Sequence, residues 1–142
     1  MAAIRQDDFI QSVADAFQFI SYYHPEDYIR DLAAAWRREE SPAAKDAMAQ
    51  ILINSRMAAE GHRPICQDTG IAIAFVRIGM NARFDATMTV GEMVNEGVRR
   101  AYTHPDNVLR ASILEDPAGA RRNTRDNTPA VIHMEVVKGD TV

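Results

Sequence analysis

The chain has 142 residues, enough for one compact domain with its own hydrophobic core. Hydrophobic residues make up 46% of it and charged residues 25%, and no apolar run approaches the length of a membrane span. We therefore expect neither a disordered protein nor a membrane protein. With 16 basic and 20 acidic side chains the net charge is −4, which argues against non-specific binding of nucleic acid and leaves small anions open as ligands.

The cysteine content and the first residues indicate the cellular compartment. Cys66 is the single cysteine, so no internal disulfide can form, in agreement with a reducing compartment. Residues 1–8 lack the apolar core and small-residue cleavage site of a secretory signal. Both features predict a cytoplasmic protein.

Four stretches have apolar residues at three- and four-residue spacing, the pattern of a helix with one buried face. They predict helices at about 7–23, 25–39, 42–60 and 89–103. Pro25 can be the first residue of the second helix, and Ser41 followed by Pro42 is typical of an N-cap and a first-turn proline. Thr89 and Glu92 fit a capping box at the start of the fourth helix.

Two further stretches predict strands, at about 70–78 and 130–138. The first is apolar at successive positions up to Arg77, as expected of a central strand covered on both faces. In the second, Ile132, Met134 and Val136 alternate with polar residues, which predicts a half-exposed strand. The polar stretch between Glu115 and Pro129 is predicted to be a loop, and the residues just before it fit either a short helix or a short strand.

These elements predict an α+β fold with N-terminal helices packed on a small sheet. We expect residues 1–142 to form a single N-terminal domain, or an incomplete piece of a larger one. Residues 138–141 are turn-like, so the chain ends where a partner strand is expected to follow.

The segment whose side chains are best suited to chemistry lies between Gly61, where a left-handed residue can end the third helix, and Gly70. Pro64 stiffens the approach to Cys66, which polar residues follow. A lone cysteine is commonly a small buried hydrophobe, but polar and partly open surroundings favour a thiolate that acts as nucleophile or metal ligand. A nucleophile would use a histidine as base, and no spacing selects one among His24, His62, His104 and His133. A metal would need about three further ligands.

Four strings in the sequence resemble the N-terminal part of class I fumarate hydratases, iron–sulfur hydro-lyases related to tartrate dehydratase. They are Asn54-Ser-Arg56 ahead of Arg63-Pro-Ile-Cys-Gln-Asp-Thr-Gly70, then Asn107-Val-Leu-Arg110, and Asn127-Thr-Pro129 before a strand. The resemblance implies that Cys66 is one of three cysteines that hold a 4Fe-4S cluster, whose open iron binds the substrate. It implies reversible hydration of fumarate to malate, and Gln67 resembles the fumarate branch more than the tartrate branch.

The resemblance also implies roles for the neighbouring polar residues. Asp68 lies beside the substrate and assists proton transfer, although an Asp here could simply cap a turn. Arg110 contacts a substrate carboxylate, which a planar guanidinium binds through paired hydrogen bonds, and Gln67 and Thr69 line the same site. In contrast, Arg121, Arg122 and Arg125 are expected to form an ordinary solvated loop.

The sequence departs from the family pattern because the other two cluster cysteines and the C-terminal catalytic domain are absent. A cluster is not held by one thiolate, so we expect no bound cluster and no activity in this chain alone. The resemblance implies a fragment whose site is completed by a C-terminal part or a partner subunit, and a homodimer in the full-length form. A second hypothesis is a non-catalytic domain that retains the fold for assembly or binding. Two further cysteines beyond Val142 would favour the enzyme.

Overall fold

The structure is a computed structural model that describes residues 3–66, 70–106 and 109–142. Its helices are α1 (Gln6–Tyr22), α2 (Glu26–Arg38), α3 (Pro42–Gly61) and α4 (Val90–Tyr102). Its strands are β1 (Ile4–Arg5), β2 (Ile73–Gly79), β3 (Phe84–Asp85), β4 (Leu114–Glu115), β5 (Arg122–Asn123) and β6 (Val131–Val137). The mixture of helices with small sheets confirms the α+β class. Among these helices, none is both long and apolar enough to cross a membrane.

The chain divides into two compact units. The first comprises the described residues of Met1–Gln18 and Asp68–Val142, and the second comprises Phe19–Gln67. The second unit thus contains the end of α1 together with α2 and α3, and the first contains all six strands and α4. Whether the complete chain acts as one domain stays a prediction.

The helix ends follow the local signals in the sequence. At the start of α3 the Ser41 hydroxyl accepts a hydrogen bond from the amide of Ala44, and Pro42 is in the first turn. At the start of α4 Thr89 and Glu92 form the expected capping box. Pro25 is the N-cap of α2 and not its first helical residue.

The main sheet of the first unit is a parallel pair, β2 with β6, in which Ile73 lies opposite Val131 and Gly79 opposite Val137. Parallel strands need a long crossover connection, and α4 lies within it. The core of this unit packs α1 and α4 against the residues that precede the strands. Its buried members are Ala14, Ala72, Val98, Ala101, Tyr102 and Leu109.

The prediction that β2 is covered on both faces is wrong for the described chain. Ile73 and Phe75 are 52% and 77% exposed, and Phe75 stacks only on the neighbouring ring of His133, with centroids 4.8 Å apart. In β6 Met134 and Val136 are also exposed, whereas Ile132 is half-buried. An apolar pattern shows that a face can be buried, but the covering element must be supplied elsewhere. We call the surface formed by Ile73, Phe75, Val131 and His133 the open sheet face.

The turn after β6 closes onto the end of β2. The amide of Gly79 donates to the carbonyl of Thr141 and that of Asn81 to Gly139, both at 2.8 Å. Gly139 has φ +120°, and a Cβ on Gly79 would lie 2.6 Å from the Gly139 carbonyl carbon. Both positions therefore require glycine, one for its backbone angle and one for the close approach.

Candidate functional site

The segment that leads to Cys66 begins at the end of α3, in the second unit. Gly61 is still helical, and the left-handed residue that ends the helix is His62, with φ +47°, so the prediction that Gly61 provides this residue is wrong. A non-glycine residue pays a cost in this conformation. Ring contacts compensate, because His62 stacks on Tyr22 at 4.9 Å between centroids and its Nε2 lies 3.5 Å from the Tyr23 hydroxyl.

The residue directly before Cys66 is held on both sides of its backbone. The amide of Ile65 donates to the carbonyl of Ser21 at 2.8 Å, and its carbonyl accepts from Asn54 Nδ2, also at 2.8 Å. Asn54 belongs to one of the strings that carry the family resemblance, and this contact gives it a physical role. Cys66 itself is exposed. Residues of α1 and α3 therefore hold the backbone that leads to Cys66, while Cys66 itself is exposed.

The histidines near this segment have partners of their own. His24 Nδ1 lies 3.0 Å from the hydroxyl of Ser55, a buried residue of α3, and the His24 ring stacks on Tyr28. His62 belongs to the tyrosine group described above. A histidine base for Cys66 stays a prediction.

The other predicted site residues are distributed as follows. Gln67, Asp68 and Thr69 lie outside the described residues. Cys66 belongs to the second unit and Arg110 to the first. The structure thus describes the surroundings of two of the five residues, each within its own unit.

The neighbours of Arg110 in the chain pack into the core. Leu109 is buried, and Ala111 packs against the same core cluster. Arg110, which lies between these two residues in the chain, is exposed. Its contact with a substrate carboxylate stays a prediction.

The backbone after Arg110 is held by asparagine side chains from the loop that follows. Asn127 Oδ1 accepts from the amides of Ser112 and Ile113, at 2.8 and 3.2 Å. Asn123 Nδ2 donates to the carbonyl of Ala111 at 2.8 Å. The predicted polar loop therefore contains two asparagine side chains that hold the backbone after Arg110 in place.

Asn127 is fully buried, with 0% of its surface exposed and φ +60°. Its Nδ2 donates to the carbonyl of Gly70 at 3.0 Å. It also bonds Tyr102, whose pKa is raised by burial and held back in part by this hydrogen bond. Sequence reasoning noticed Asn127 only within the resemblance. The signal it missed is that asparagine tolerates the left-handed conformation and offers a donor and an acceptor together.

The three arginines of this loop are exposed, as expected of a solvated loop. Arg122 pairs with Glu115 at 3.5 Å across the antiparallel β4 and β5 pair, and Arg121 donates to the carbonyl of Pro117. These contacts tie the loop to itself. They give no reason to assign an anion site to it.

An iron–sulfur cluster was tested against the donors that the chain contains. The sequence has one cysteine, and within the described ranges no group of three or more His, Cys, Asp or Glu side chains could hold a metal ion. The exposed Cys66 fits the place of one thiolate ligand. The donor set of the chain does not fit a complete cluster.

Comparison with known proteins connects these features to a family. The family model of fumarate hydratase (fumerase) matches residues 10–142. A putative L(+)-tartrate dehydratase subunit alpha of Methanocaldococcus jannaschii is 36% identical over 89 residues, which are 63% of this chain and 31% of that protein. Because the family model covers nearly the whole sequence, the chain belongs to the fumarate hydratase family.

Proposed function

We propose that this chain is part of a hydro-lyase that reversibly adds water to fumarate to form malate. The family match over residues 10–142 carries this proposal. Hydration places a hydroxyl on one carbon of the double bond and a proton on its neighbour. The protein must therefore bind two carboxylates and move one proton.

Two residues of this chain are proposed for those tasks. Arg110 would bind a substrate carboxylate. The exposure of the residue and the two asparagine side chains that hold the backbone after it, Asn123 and Asn127, support this role. Asp68 would exchange the proton with the substrate carbon as general acid and base. Gln67 and Thr69, its neighbours in the chain, would line the substrate site.

We propose Cys66 as one ligand of a 4Fe-4S cluster, which would supply an open iron as Lewis acid in the complete enzyme. Its exposure and the two hydrogen bonds on Ile65 support this role, since a ligand must reach out of the chain from a fixed backbone. The remaining ligands would come from further polypeptide.

Two observations support a partner polypeptide. The relative named above is called subunit alpha, which implies assembly with another subunit. The open sheet face has two large apolar side chains more than half exposed, Ile73 and Phe75, and parallel strands are normally covered on both faces. We propose that the polypeptide which completes the enzyme covers this face. A homodimer and a cytoplasmic location stay predictions.

A second candidate is the dehydration of tartrate, favoured by the name of the same relative. Both substrates are four-carbon dicarboxylates and lose or gain water at adjacent carbons. The roles of Asp68 and Arg110 would be the same for either. A purely structural domain stays the alternative from another class.

The proposal is tested by replacing the proposed ligand in the active enzyme, this chain together with the polypeptide that completes it. Cys66→Ser exchanges a soft thiolate for a hydroxyl and is expected to lower iron and sulfide content and hydratase activity together. The control is Met80→Ser, which removes another exposed sulfur that cannot become a thiolate. Iron and sulfide are measured after anaerobic loading.

Iron content is informative apart from activity, because a damaged active site can lose turnover and keep its cluster. Full iron content with full activity in Cys66→Ser would mean that Cys66 is an inert surface cysteine and not a cluster ligand. Equal losses in both variants would mean that the effect is not due to ligation.

A further inference from the structure

We propose that Asn127 is a positioning residue for the substrate site. It holds the backbone beyond Arg110 and the carbonyl of Gly70 through one side chain, and so fixes the segment of the proposed carboxylate contact against the chain that leads into β2. This inference rests on the proposed function and adds to it a residue that does not itself contact substrate.

The contacts that carry the inference all lie within the first unit. The Asn127 amide oxygen accepts from the amides of Ser112 and Ile113, the second and third residues after Arg110. Its amide nitrogen donates to the carbonyl of Gly70, the residue that follows Thr69 in the chain. The buried side chain thus bridges two segments that are about forty residues apart in sequence.

The burial makes this bridge effective. At 0% exposure, no water can replace the hydrogen bonds, so loss of either amide atom leaves backbone groups unsatisfied. Those groups can find new partners only if the backbone moves. The movement would reach Arg110, two residues before Ser112, and misplacing a binding group by about 1 Å can cost up to about 100-fold in rate.

Two substitutions separate the functions of the side chain. Asn127→Asp keeps the oxygen that accepts from Ser112 and Ile113, but it replaces the donor to Gly70 with a second oxygen. Asn127→Gly removes these three hydrogen bonds and the one to Tyr102, and it still tolerates the φ of +60°. The first variant disturbs mainly the Gly70 side, and the second disturbs both sides.

Asn95 provides a matched control on α4. Its Oδ1 accepts from the amide of Ala130 at 2.8 Å, and its Nδ2 donates to the carbonyl of Gly91 at 2.9 Å. Asn95→Asp therefore removes the same kind of donor from the same kind of acceptor. Both of these hydrogen bonds join groups other than the Arg110 segment and Gly70.

The experiment measures KM and kcat for fumarate in the cluster-loaded enzyme, and hydrogen exchange at Ser112 and Ile113. We expect Asn127→Gly to raise KM about tenfold or more, with faster exchange at both amides. Asn127→Asp should impair turnover while leaving these two amides protected, and Asn95→Asp should change KM by less than about twofold. Thermal unfolding of each variant reports the loss of stability separately.

Several results would overturn the inference. KM values for both Asn127 variants that match Asn95→Asp would do so, as would failure of both to fold while Asn95→Asp folds, since Asn127 would then be purely structural. Wild-type enzyme in parallel separates the two proposals. No turnover of the wild type would overturn the proposed function and the positioning role together, whereas normal turnover with unchanged variants would overturn the positioning role alone.

Discussion

Gly97 is the position where the packing of the first unit can be tested most sharply. It lies buried on α4, and a Cβ added to it would be 2.6 Å from both Cβ and Cγ1 of Val13 and 2.9 Å from the carbonyl oxygen of Ile10. These atoms belong to α1, and one of them is backbone. Gly97→Ala must therefore push the two helices apart or distort one of them.

The magnitude follows from two opposing effects. Overpacking costs about 1–3 kcal/mol, and a clash with backbone places this site near the upper end. Alanine gains about 1 kcal/mol over glycine from helix propensity. The net loss in the free energy of unfolding is then about 2 kcal/mol.

Gly91 is the matched control on the same helix, because a Cβ there would meet only Ile132 Cδ1 at 3.9 Å. Gly91→Ala is expected to be neutral or to stabilise by up to about 1 kcal/mol. Urea unfolding followed by circular dichroism compares the two variants. If Gly97→Ala were as stable as Gly91→Ala, the close contact between α1 and α4 would be refuted.

Three further predictions concern charge and catalysis. Hydrogen bonds from Arg99, with a smaller contribution from Arg100, outweigh burial and lower the pKa of Glu96 to about 2 from 4.5. This stabilisation is complete above pH 4.5 and is lost as pH falls toward 2. Over that range the free energy of unfolding should therefore fall by about 1–2 kcal/mol more in the wild type than in Glu96→Gln. Asp68→Asn should lower kcat by about 10²–10⁴-fold with little change in KM. A near-normal kcat would mean that Asp68 only caps a turn. Arg110→Lys should raise KM because the planar guanidinium, which binds a carboxylate through two hydrogen bonds, is lost. Unchanged kinetics would mean that Arg110 does not contact the substrate.

Helices were predictable because their signals are local. The capping box of Thr89 and Glu92 and the Ser41-Pro42 start of α3 depend on residues within one turn, and each observed helix end lies within one residue of the expected one. The strands β2 and β6 were also found. The two-residue strands β1 and β3 were missed, since so short a segment carries no periodicity. The equally short pair β4 and β5 was missed as well, and β5 lies within the stretch that was predicted to be a loop.

Features that depend on distant partners could not be predicted. The exposure of Phe75 reflects the absence of a covering layer from the described chain, which no pattern within the strand can show. The left-handed His62 depends on rings from α1. Asn127 looked like a loop residue because its partners, Gly70 and Ser112, lie far from it in sequence.

The central claim is that this chain is part of an enzyme that hydrates a four-carbon dicarboxylate. The most direct measurement follows, under anaerobic conditions and after iron and sulfide loading, the ultraviolet absorbance of fumarate and the appearance of malate, with L(+)-tartrate in a parallel reaction. We predict that fumarate is consumed and malate formed in equal amounts. Turnover of tartrate alone would establish the second candidate, and turnover of neither substrate by fully loaded enzyme would contradict the claim.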